Sequence, residues 1–293
     1  MIHLPDPPTL AQALAWARAQ GLDSLDAQLL LLQAMDRAAH DRAWLLAHDT
    51  DTLPDNAHTT LQTLVSRRLQ GEPVAYLTGY KEFYGLTLAV DARVLVPRPD
   101  TETLVDWALE VLTPSTSRTG PAEAQAPRVI DLGTGSGAIA LALKHSQPAL
   151  QMHAVDYSRN ALAVAQANAQ RLGLEVQFRQ GSWLDGITLT FDTIVSNPPY
   201  IAAADPHLAA LTHEPLQALA SGADGLDDLR TIISQAQTRL TPGGWLLLEH
   251  GYDQAEAVRN LLSQAGYAQV QSRCDLAGIE RCSGGQYPAL TPY

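Results

Sequence analysis

Apolar residues recur at helical spacing in the first part of the chain. Leu10, Ala13, Leu14 and Ala17 share one helical face, and Leu25, Leu29, Leu32 and then Leu61, Leu64, Val65 repeat the pattern. Thr9 and Ser24 are placed to cap the first two helices, and Gly21, Asp36 and Pro54 fall in the connections. The pattern predicts a small helical bundle over residues 1–72, either a packing module or a partner-binding surface.

Residues 73–97 change character. Tyr76, Phe83, Tyr84, Leu86, Leu88, Val90, Val94 and Val96 alternate over the turn residues Gly79, Gly85 and Asp91, which predicts a β-hairpin linker. Pro97-Arg98-Pro99-Asp100 ends it, and Asp100 or Thr101 caps a helix through Leu112. Residues 113–127 hold no apolar period and read as a mobile surface loop. From Arg128 strand and helix patterns alternate to the end of the chain. Strands fit 129–132, 152–155, 176–178, 194–195 and 245–248; helices fit 138–143, 158–172, 226–240 and 253–264. Such alternation over 98–293 implies an α/β domain with a largely parallel sheet, whose ligands bind beyond the carboxyl ends of the strands.

Composition adds exclusions. Hydrophobic residues at 46% suffice for a core, while a net charge of −12 opposes a surface for free DNA or RNA. No apolar run approaches the roughly 18 residues of a membrane span, and Met1-Ile2-His3-Leu4-Pro5-Asp6 lacks a signal-peptide start. Cys274 and Cys282 read as thiols in a reducing compartment, so a cytoplasmic location is expected. His207, His213 and His250 match no helical metal-ligand spacing and read as surface or loop residues; no metal is expected.

Two motifs carry chemistry. Gly133-Thr134-Gly135-Ser136-Gly137 follows the strand ending at Asp131-Leu132 and opens a helix, so a ligand can approach bare backbone. Asp156, 25 residues after Asp131, ends the next strand and suits a pair of ribose hydroxyls. NAD and S-adenosylmethionine both satisfy this much, although the glycine density leans towards the methyl donor. The second motif is Asn197-Pro198-Pro199-Tyr200. Its prolines fix φ twice and leave carbonyls without competing N–H groups. Asn197 Oδ1 and the Pro198 carbonyl suit a planar amino group, whose lone pair they would turn towards an electrophilic methyl. The Tyr200 ring would favour that methyl by a cation–π contact.

With these residues the chain resembles the release factor glutamine methyltransferase family, the PrmC or HemK enzymes. The likeness includes Tyr76-Leu77-Thr78-Gly79, Phe83-Tyr84-Gly85, Val96 to Glu102, Gly181-Ser182-Trp183, Glu214-Pro215 and Leu248-Glu249-His250-Gly251. It implies a class I Rossmann-like domain with a seven-stranded sheet and S-adenosylmethionine held by Gly133, Thr134, Gly135, Ser136, Gly137 and Asp156, with Trp183 against the adenine. It also implies that Asn197, near the methyl donor too, holds with Pro198, Pro199 and Tyr200 the glutamine of the Gly-Gly-Gln tripeptide of class I peptide-chain release factors. No contact is assigned to Phe83 or to Arg98–Glu102, and a monomer is expected.

Gly284-Gly285-Gln286 departs from the family pattern, in which an arginine precedes the tyrosine. It reads as part of the last strand rather than a self-methylation site. The alternatives are an adenine methyltransferase acting on DNA, opposed by the charge, a ribosomal-protein glutamine methyltransferase, an NAD oxidoreductase, and a non-catalytic cofactor-binding module, opposed by an intact Asn197 and Tyr200.

Overall fold

The computed structural model describes residues 7–113 and 126–289. Most of the segment expected to be a mobile loop, 114–125, lies outside the described residues, as does the start of the chain through Asp6. The chain divides into two units, 1–80 and 81–293.

The first unit is helical: α1 (Leu10–Ala19), α2 (Ser24–Ala34), α3 (Arg42–Ala47), α4 (Asp55–Leu69) and α5 (Val74–Thr78). Thr9 caps α1 in a reciprocal box, its hydroxyl accepting from Gln12 N while Gln12 Oε1 accepts from Thr9 N. Asp23, not Ser24, caps α2, because its carboxylate accepts from Asp26 N at 2.8 Å. Leu25 is exposed; α2 instead buries Ala27, Leu30, Leu31 and Leu32 against Leu10, Leu61, Leu64 and Val65. Residues 74–78, expected as strand, form a short helix ended by Gly79 at φ +79°, a left-handed C-terminal cap. The hairpin is confined to β1 (Tyr80–Phe83) and β2 (Leu86–Ala89).

In the second unit a 3₁₀ turn, Pro99–Thr101, leads into α6 (Glu102–Leu112). Thr101 stands at the cap position but makes no side-chain cap bond. There follow β3 (Arg128–Leu132), α7 (Ala138–Ser146), β4 (Gln151–Asp156), α8 (Arg159–Leu172), β5 (Gln177–Gln180), β6 (Phe191–Ser196), α9 (Asp227–Ala236), β7 (Leu240–Glu249), α10 (Ala255–Gln264), β8 (Ala268–Cys274) and β9 (Glu280–Gln286). The seven strands run in the order β5-β4-β3-β6-β7-β9-β8. β5 to β7 pair in parallel, and β9 pairs antiparallel with both β7 and β8. Side chains alternate across the sheet. Val129, Val195 and Leu247 pack with α6 and α7, and Ile130, Ile194, Leu246 and Leu248 pack with α9 and α10. Strand order reverses between β3 and β6, so the loops leaving these neighbours face one crevice.

Candidate active site

The loop after β3 depends on three left-handed glycines: Gly133 (φ +72°), Gly135 (+55°) and Gly137 (+86°). A Cβ at Gly137 would meet Leu141 at 3.0 Å and Ala165 at 3.3 Å, whereas one at Gly135 would point into open space. The intervening side chains turn inward. The Thr134 hydroxyl donates to Asp131 Oδ2 (2.6 Å), and the Ser136 carbonyl accepts from Asn168 Nδ2 (3.0 Å). Asn168 also holds both the N–H and the carbonyl of Ala89, tying the end of β2 to this loop. Asp131 is fully buried, and its Oδ1 has no partner among the described residues. Burial pushes its carboxyl up to about 7.

Asp156, at the end of β4, accepts from Gly135 N on one oxygen and Ser158 N on the other, both at 2.8 Å. Each oxygen keeps a further lone pair, as a pair of hydroxyl donors requires. Burial raises its pKa, the two N–H bonds opposing. Trp183 lies over Gly133, 3.2 Å from where a Cβ would sit, and itself adopts φ +50°, a strained conformation for a bulky residue. Gly133, Gly135, Asp156, Trp183, Asn197 and Pro199 line one cavity of about 240 Å³. Thr134, Ser136, Gly137 and Pro198 lie behind its walls, buried. A shallower hollow of about 630 Å³ lies at the opposite ends of β4 and β5. Lys144 there is occupied by the Pro148 and Leu150 carbonyls, and the carboxyl-end chemistry is absent from it.

Asn197 to Tyr200 leave β6. Asn197 Nδ2 donates to Thr101 Oγ1 at 3.2 Å. Among the described residues its Oδ1 and the Pro198 carbonyl accept no hydrogen bond. The Tyr200 carbonyl accepts from Gln254 Nε2 (2.9 Å), and Gly225 packs so closely on it that a Cβ would overlap it. The Tyr200 hydroxyl faces Glu249 Oε1 across a long 3.5 Å contact, and burial raises its pKa further above the ordinary value. Glu249 ends β7, only 2% exposed; its Oε2 has no partner among the described residues, and burial pushes its carboxyl up to about 7. Glu214 anchors the segment before α6, accepting from Val96 N (3.1 Å) and from Arg98 (2.5 Å).

Several expectations change. His250 is buried, not a surface residue: its ring bonds to the Gly251 carbonyl and the Ser283 hydroxyl. Among the described residues no group of three or more His, Cys, Asp or Glu is placed to hold a metal ion. Thr101 is buried behind Asn197 as its hydrogen-bond partner and makes no side-chain cap bond. Asn168 escaped sequence reasoning, although a polar residue on the apolar face of α8 was a visible signal. The Gly284-Gly285-Gln286 tripeptide is explained by packing. A Cβ at Gly284 would lie 2.6 Å from the Leu246 carbonyl, one at Gly285 2.8 Å from Tyr267, and Gln286 Nε2 donates to the Gly243 carbonyl.

Comparison with known proteins agrees with this architecture. Residues 103–265 match the methyltransferase small domain, and residues 10–79 match the PrmC N-terminal domain. A release factor glutamine methyltransferase of Bordetella pertussis is 50% identical, the match covering 90% of this chain and 95% of that protein. One from Xylella fastidiosa is 46% identical over 95% and 98%. Among solved structures, the hMettl16 catalytic domain, crystallised with a hairpin of the MAT2A 3′UTR, superposes with a TM-score of 0.55 at 15% identity, covering 71% of this chain and 78% of that one. A Pyrococcus furiosus methyltransferase gives 0.51 at 18%, covering 77% and 98%. These likenesses establish the class I methyltransferase fold. On the strength of its close relatives, the chain belongs to the release factor glutamine methyltransferase family and is an S-adenosylmethionine-dependent methyltransferase.

Proposed function

We propose that the protein methylates the side-chain amide nitrogen of the glutamine in the Gly-Gly-Gln tripeptide of class I release factors, and so modulates translation termination. The observation that carries this is Asn197 in the cavity wall, on a loop stiffened by two prolines, with an Oδ1 that accepts no hydrogen bond among the described residues; the Pro198 carbonyl beside it accepts none there either.

The residues present fit S-adenosylmethionine. Asp156 offers lone pairs to the ribose hydroxyls, the Trp183 ring offers a face to the adenine, and Gly135 opens onto the cavity. Gly133 and Gly137 supply the remaining backbone turns, while Thr134 and Ser136 brace the loop from behind. The bound donor supplies an electrophilic methyl on a positively charged sulfur. The protein's part is positioning. An amide nitrogen is a poor nucleophile because its lone pair is delocalised. Accepting its two hydrogens at Asn197 and Pro198 fixes the amide plane and turns the lone pair to the methyl, which supplies several kcal/mol of the barrier. Pro199 holds the loop stiff, and the Tyr200 ring packs on the amide. The nitrogen loses its proton as or after it gains the methyl, so no strong base is needed beforehand. In this reading the helical unit recognises the folded release factor, and the protein acts as a cytoplasmic monomer.

The test is transfer of labelled methyl to a purified release factor, beside one whose tripeptide glutamine is alanine. Label on the first alone is expected. Equal label on both, or on neither, overturns the assignment.

A further inference from the structure

Resting on that reading of Asn197, we propose that Thr101 is a positioning residue that sets which way the Asn197 amide faces, and that the buried acid Glu249 commits its hydroxyl to the task. An asparagine amide presents nearly the same shape in either orientation, but only its oxygen accepts a hydrogen from a substrate amide. Something must therefore choose. Thr101 is the one hydrogen-bond partner of Asn197 among the described residues, at 3.2 Å. Its hydroxyl carries a single proton, and two neighbours compete for it.

Glu249 decides the competition. The Tyr200 hydroxyl faces one oxygen of this carboxyl group at 3.5 Å, and the Thr101 hydroxyl lies close enough to favour its ionised form. At 2% exposure it has no bulk water to satisfy it, and one of its oxygens is without a partner among the described residues. Above about pH 7, where it is ionised, this carboxylate only accepts. With the Thr101 proton given to Glu249, the Thr101 oxygen can only accept from Asn197, and Nδ2 must turn to it. Oδ1 is then left facing the cavity. The fold frees Thr101 for this role. It occupies the position before α6 where a threonine hydroxyl usually caps the helix, yet it makes no cap bond and is 3% exposed. The turn Pro99–Thr101 delivers it to the crevice, and β7 delivers Glu249 from the other side.

The test uses the full chain with T101V, which keeps the shape and removes the hydroxyl, and T101S, which restores it. Calorimetry gives the cofactor Kd, and steady-state transfer gives kcat and KM for the release factor. The expected result is a roughly 10- to 100-fold loss of kcat in T101V, with cofactor Kd unchanged and recovery in T101S to within about three-fold. T101A gives the same comparison should T101V not fold. If the unaltered chain transfers no methyl, the reading of Asn197 falls and this inference with it. If the unaltered chain is active and T101V keeps its kcat, or T101S loses as much as T101V, the Thr101 inference alone falls.

Discussion

The two loops that meet at the crevice are built on opposite principles. The loop after β3 works by what its residues lack: three glycines take conformations that a Cβ resists, and one leaves open space where a side chain would stand. The loop after β6 works by what its neighbours supply: Thr101 holds Asn197, Gln254 holds the Tyr200 carbonyl, and Glu249 faces the Tyr200 hydroxyl. The first is written almost wholly in consecutive residues. The second is a constellation, and its members act only when the rest of the unit has folded around them. Damage to the first should be felt as lost ligand affinity, and damage to the second as lost turnover.

The largest expected effect follows from the second loop. Asn197→Ala should lower kcat by about 100-fold or more while the cofactor Kd, read by calorimetry, stays within about three-fold. A parallel loss of cofactor binding would erase the contrast. The first loop should behave in the reverse sense. Gly135→Ala places a methyl in the cavity at φ +55°, so cofactor affinity should fall about ten-fold or more, with a strain cost of about 1–2 kcal/mol in chemical denaturation. Unchanged affinity would mean that the opening at Gly135 is not where the ligand lies.

That asymmetry also governs what was legible in the sequence. The glycine loop, Asp156 and Asn197–Tyr200 stood out because each motif is local and its spacing implies its shape. The roles of Thr101 and Glu214, and Asn168 altogether, did not, because their partners lie 96, 118 and 79 positions away and no local pattern joins them. The parallel order of the sheet core followed from alternation, but strand ends slipped where edges are polar, as at β5, whose residues are mostly exposed. Val74–Thr78 misled because five residues of mixed apolar character fit a strand as well as a single helical turn.

Glu249 gives the next effect in size. Burial raises its carboxyl to about 7, Asp100 adds to the rise, and Thr101, Arg281 and Tyr200 oppose it; Cys282 lies opposite on β9. Because the folded value lies above the unfolded one, the native state holds the extra proton, and stability falls as pH rises from the ordinary carboxylate range through about 7. Glu249→Gln should flatten that slope. Between about pH 5 and pH 8 the unaltered chain should lose on the order of 1–3 kcal/mol more than the variant, measured by urea unfolding. Identical slopes would show that the acid is ionised throughout.

The smallest expected effect belongs to Gln286. Its amide bonds Gly243 and Gln269 within the sheet, so Gln286→Ala should cost about 1 kcal/mol of stability and leave methyl transfer unaltered. Methyl label recovered on Gln286 itself would contradict its structural role.

The position of β9 has a consequence in time. It is the last strand along the described residues, yet it lies between β7 and β8, and it brings Arg281 and Cys282 beside Glu249. During synthesis the glycine loop and Asn197 leave the ribosome well before this strand does. Until β9 arrives, β7 presents an open edge, β8 has no neighbour to pair with, and the acid at the end of β7 faces water. The crevice therefore matures late, after its most recognisable parts have been made. A nascent chain stalled before residue 280 would carry both motifs and still lack the dry floor beneath them.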